Sequence, residues 1–123
     1  MIQVNSKANL YNGLSISSGM VINFVPDIGN AYPNKDNTKI ILPLSLVCYK
    51  DKTTAENGEY QPVIPIKNGN ESINSRALVL ITIEYTLEEW NSGTDVNRDS
   101  METRLIAALE VWNPYWEGKI VKV

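Results

Sequence analysis

The chain contains no histidine among its 123 residues. That removes the commonest general base, the commonest transition-metal ligand and the usual switch near neutral pH. Only one cysteine is present, Cys48, so no internal disulfide can form. Cys48 lies in an apolar, strand-like run, where a free cysteine behaves as a small hydrophobe. With no histidine to activate it, a nucleophile is not expected there. A single unpaired thiol fits a reducing compartment or assembly inside a cell. No run of five or more basic or acidic residues occurs. The formal charge of −3 and pI of about 4.9 argue against a nucleic-acid binder, whose affinity comes largely from Lys and Arg at phosphates.

Long hydrophobic runs are also missing. The longest, residues 40–49, is too short to span a bilayer and is interrupted by Pro43 and Ser45. The opening M-I-Q-V-N-S-K lacks a basic region followed by an apolar core, so no signal peptide is expected. Asn70-Glu71-Ser72 matches the glycosylation acceptor pattern, which without a secretory signal reads as chance. No glycine-rich phosphate loop or nucleophile elbow is present.

What is there suits one domain of 1–123, with hydrophobic residues at 43% and charged residues at 20%, ordinary values for a globular chain. Residues 77–85 read A-L-V-L-I-T-I-E-Y. Val79, Ile81, Ile83 and Tyr85 fall on one face at period two, with Leu78 and Leu80 on the other. The pattern predicts a central strand, buried on both faces at its start. Three Asn-Gly pairs, Asn12-Gly13, Asn57-Gly58 and Asn68-Gly69, tolerate the positive φ of a type I′ turn and predict hairpins.

Along the chain, residues 2–11 read as a weak strand, turned back at Asn12-Gly13 into 14–17. Residues 20–25 form a better strand, ended by Pro26. Residues 27–38, rich in Gly, Pro, Asn and Asp, read as one long surface loop. Residues 39–52 are a strand in which Pro43 suggests a bulge or edge position. Residues 53–59 read as loop, 60–66 as a proline-bearing edge strand, and 67–76 again as loop. Thr86 and Glu89 form a capping box for a short helical turn. Asp99 and Glu102 open one convincing helix, with Met101, Leu105, Ala108, Leu109 and Trp112 on one face and Glu102 mostly opposite. Asn113-Pro114 ends it, and 119–123 close as a short strand. The fold class is therefore mainly β (α+β): an antiparallel β-sandwich or barrel-like sheet with one amphipathic helix near residues 99–112.

Adjacent Glu88 and Glu89 point to different sides of a helix and do not converge on a substrate; capping accounts for them. Asp95, Asp99 and Glu102 could supply oxygen ligands, but their spacing matches no calcium loop. No catalytic residue, cofactor or metal is assigned. The aromatic cluster Trp112, Tyr115 and Trp116 around Pro114 serves either core packing, a protein interface or stacking on sugar rings. With Tyr32 and Tyr60, these three are the candidate interface residues.

The chain resembles small virion structural proteins of tailed bacteriophages that build neck, tail or baseplate rings, the crAss-like group among them. The resemblance rests on S-G-M-V-I-N-F-V-P-D-I-G at 18–29, V-C-Y-K-D-K-T-T-A-E-N-G-E-Y at 47–60 and Y-T-L-E-E-W-N at 85–91. It covers the whole chain in general character and carries over no functional residue. It implies a β-rich, non-enzymatic protein of the virion, assembled in the host cytoplasm through homo-oligomeric contacts and contacts with other virion proteins. No membrane, direct nucleic-acid or small-molecule partner is expected. The alternative is a small ligand- or carbohydrate-binding β-sandwich using Tyr115 and Trp116.

Overall fold

A computed structural model describes residues 1–58, 61–68 and 77–123. Its frame is β6 (Lys39–Tyr49), the longest strand. Leu42, Leu44, Leu46 and Cys48 alternate into the core along it, as period-two patterning requires. On one side β6 pairs with β8 (Leu80–Thr86), from Lys39↔Thr86 to Ser45↔Leu80. On the other it pairs with β4 (Met20–Pro26) over Leu44 to Tyr49 and with β5 (Tyr32–Pro33) at Ile40 and Ile41. Then come β1 (Ile2–Val4), paired with β4, and β9 (Ile120–Lys122), paired with β1. Every pairing in this six-stranded sheet is antiparallel.

A second sheet of three strands has the order β3–β2–β7, with β2 Ala8–Leu10, β3 Ser15–Ile16 and β7 Pro65–Ile66. Asn12-Gly13 makes the β2–β3 turn as expected, with Gly13 at φ 87°. The expected strand over 2–11 is in fact two strands in different sheets. Val63 bridges to Cys48, which ties the small sheet to the large one.

The antiparallel, mainly β (α+β) reading holds, and neither sheet closes into a barrel. Three helices are described where one helix and a short helical turn at the Thr86–Glu89 capping box were expected. The first, α1 (Lys52–Glu56), replaces the expected loop. Asp51 caps it by accepting from the Thr54 amide, and Asn57-Gly58 ends it instead of turning a hairpin. Next, α2 (Leu87–Ser92) has the full capping box, with Thr86 Oγ1 accepting from the Glu89 amide and Glu89 accepting from the Thr86 amide. Finally, α3 (Arg98–Trp112) starts one residue earlier than expected, because Asn97 is its cap. Its Met101, Leu105 and Leu109 enter the core. Glu102, expected on the outer side, is buried, its carboxylate 3.5 Å from the Met1 amino group.

Two further expectations are corrected. The 27–38 stretch is not one loop: it holds a 3-10 turn at Ile28–Asn30 and then β5, returned to β6 by Asn34, whose side chain accepts from the Thr38 and Lys39 amides. Pro43 is neither bulge nor edge residue. It lies mid-register in β6, where the β4 ladder has ended at Leu44 and the β5 ladder begins at Ile41, so its missing N–H falls in a gap. The expected turn at Asn68-Gly69 and the loop to 76 lie largely outside the described residues.

Candidate functional site

The stretch expected to be central, β8, is an edge strand: among the described residues only β6 pairs with it. Leu80 is 57% exposed and Val79 is exposed as well. Register shows which of its backbone groups face outward. Pro43 has no N–H, and its carbonyl accepts from the Asp27 amide on the far side of β6. The opposed pair Pro43↔Thr82 therefore carries no ladder bonds, and Thr82 turns its own N–H and C=O away from β6. The Leu46 amide donates to Val79 at 3.0 Å, which fixes the same alternation one step along. By that alternation the backbone of Leu80 and Glu84 also faces outward.

Beside this edge runs one flank of α3. Residues 104, 107, 108 and 111 recur at helical spacing on it, and Val111 is 80% exposed. Edge and flank enclose an open groove of about 630 Å³ floored by Ile81, Ile83, Ala107, Ala108, Val111 and Trp112. A second hollow, of about 450 Å³, continues it along Ala77 to Thr82, sharing Ile81 and Trp112. One end is closed by Arg104. Its guanidinium lies 4.1 Å over the Tyr85 ring and donates to the Glu84 carbonyl and the Glu89 carboxylate. The Thr86 amide first, and Arg104 second, hold the Glu89 carboxyl below its usual value.

The candidate aromatics separate. Trp112 is half-buried and lines the groove, 5.6 Å from Trp116. Trp116 is fully buried, and its Nε1 donates to the Lys7 carbonyl at 3.0 Å. It is a core residue, so neither an interface nor a sugar platform can use it. Tyr115 is exposed, as is Tyr32 on β5, away from the groove. Tyr60 lies outside the described residues. Leu80, Thr82, Ala107 and Val111 were not among the expected site residues; for Ala107 and Val111 the signal was the second small-apolar stripe of α3, and for Leu80 and Thr82 the sequence carries none. Cys48 is buried, and that burial pushes its thiol pKa up to about 12, which keeps it un-ionised and inert. Among the described residues no cluster of three potential metal ligands forms, and no helix is long and apolar enough to cross a membrane.

Comparison with family models, with curated proteins and with solved structures returns no match.

Proposed function

We propose that this chain is a non-enzymatic structural or assembly protein of a phage particle, part of a neck, tail or ring, acting through contacts with further copies of itself and with other virion proteins. The single observation that carries the reading is the open β8 edge beside the α3 groove. Folded chains blunt such edges with charge, proline or a covering element, because unpaired N–H and C=O groups recruit strands. The open part of β8, Leu80-Ile81-Thr82-Ile83, has no charge and no proline. Left in solvent it is an aggregation hazard; covered by a neighbour it is an attachment site.

Two sequence features support the same reading: the absence of histidine and the resemblance to virion structural proteins. The carbohydrate-binding alternative loses its platform with the burial of Trp116. The test is sedimentation of the purified chain and of lysates from its source. Co-sedimentation with a ring or particle is the expected result. A strict monomer at high concentration that pulls down nothing from its source overturns it.

A further inference from the structure

We propose that the strand seated on the β8 edge is β9 of a second copy, added antiparallel and head to tail. This rests on the assembly reading and names its partner and register.

β9 is a further edge strand of the large sheet: among the described residues it pairs with β1 alone, as β5 pairs with β6 alone. Asn5 donates to Lys119 at 2.7 Å and Val123 to Met1 at 3.0 Å, so the odd-numbered residues of β9 make the ladder to β1. Ile120 and Lys122 therefore turn their N–H and C=O outward. Among the described residues no backbone partner is recorded for these groups, nor for those of Leu80 and Thr82. Two unpaired edges, each with alternate residues open, can satisfy one another.

Register follows from side chains. Setting Thr82 against Lys122 of the second copy brings Glu84 against Ile120; there the Glu84 N–H faces the new strand, while its carbonyl is already taken by Arg104. Opposed residues of an antiparallel pair share a face. Val121, 43% exposed, then joins Ile83 on the groove side, over the small residues Ala107 and Ala108. The lysine ammonium of Lys122 lies on the other face, diagonal to the Glu84 carboxylate. Val121 meets an apolar groove, and Lys122 and Glu84, paired in each copy with Asp99 and Lys39, come near one another across the seam.

Parity of faces selects this partner over a symmetric one. Ile120 and Lys122 face the core side of their own sheet, because Ile120 is buried and Lys122 Nζ binds Asp99 of α3 at 2.8 Å. Thr82 and Glu84 face the outer side. The second copy is therefore turned over, and its α3 lies on the opposite side of the joint sheet. A β8-to-β8 pairing would put both α3 helices on one side, competing for one groove. A head-to-tail contact is heterologous, and it generates a ring or an open filament.

The test uses the whole chain in two arms. In the first, Thr82→Pro removes an outward N–H that no ladder bond uses; proline is tolerated there on an edge strand. The variant should keep the wild-type fold by circular dichroism and lose at least tenfold in self-association by sedimentation velocity. In the second, chains carrying Thr82→Cys and chains carrying Lys122→Cys are mixed and oxidised. The expected result is a disulfide-linked pair from the mixture and none from either chain alone. Cross-linking of Thr82→Cys chains with themselves, or undiminished assembly of Thr82→Pro, overturns the β8–β9 contact while leaving the assembly reading standing. A wild-type chain that never associates overturns both.

Discussion

At the scale of single residues, Cys48 and Trp116 show how completely the interior is sealed. Because burial raises the Cys48 thiol from 9.0 to about 12, the folded chain holds a proton that the unfolded chain releases above pH 9. The stability this group contributes is therefore fully present below pH 9 and is lost as pH rises toward 12. Native protein at pH 8 should leave the thiol unmodified by a thiol-reactive dye, and denatured protein should react at once. Fast labelling of the native state would contradict the placement. Trp116 is the largest fully buried side chain. Trp116→Ala should cost about 3–5 kcal/mol of unfolding free energy through the cavity it opens, while the Lys7 carbonyl keeps the Asn68 amide as a donor. Urea unfolding measures this; a change under half that size would show that Trp116 packs elsewhere.

At the scale of elements, the ends of α2 carry the clearest local physics. Thr86→Ala removes one half of the capping box and should cost about 1 kcal/mol. Gly93, the residue after the helix, holds φ 69°, and a Cβ there meets nothing within 4 Å. Gly93→Ala should thus cost roughly 1–2 kcal/mol from backbone conformation alone. Both are read from denaturant midpoints. If Gly93→Ala were neutral, the left-handed cap would be misplaced. The Glu89 carboxyl, lowered first by the Thr86 amide, contributes stability that is present above the ordinary carboxylate range and is lost as pH falls through its depressed value. Acid titration followed by helix signal should show α2 loosening before the sheet.

The Thr86–Glu89 capping box was legible in the sequence because it is a contact across three residues. The same is true of the Asn12-Gly13 turn and of the Asn113-Pro114 stop. What the sequence concealed is set by contacts far apart in the chain. Residues 80–83 are as apolar and β-branched as a central strand, and only the strand order shows that among the described residues β6 alone pairs with β8. Asn57-Gly58 carries the hairpin signal but follows a helix whose cap, Asp51, sits six residues earlier. On α3, Ala108 reads with the core face and Arg104 with the polar one, while Ala107 and Val111 go unassigned because neither face of the pattern claims them, so the flank they share is hidden until β8 is in place.

At the scale of the whole molecule, β8 and β9 flank the run of β6, β4 and β1, and α3 spans the distance between them. Its Asp99 binds Lys122 of β9, and its Arg104 reaches Glu84 of β8. Assembly through these edges places apolar surface and main-chain hydrogen bonds in one contact, so raised salt should leave it largely intact. Screening at 1 M salt reaches to about 3 Å, which weakens exposed ion pairs while apolar burial persists. Val111→Lys, at a surface site on the groove floor, should leave the unfolding midpoint within about 0.5 kcal/mol of wild type and should weaken association. A midpoint that falls while association is untouched would place Val111 in the core.

The most direct measurement is the mass of the purified chain in solution across a wide concentration range, by sedimentation velocity with light scattering. The expected result is species at multiples of the 13.8 kDa chain, growing with concentration and shifted at least tenfold toward the monomer by Thr82→Pro. A single 13.8 kDa species at every concentration, with no partner recovered from its source, would contradict it.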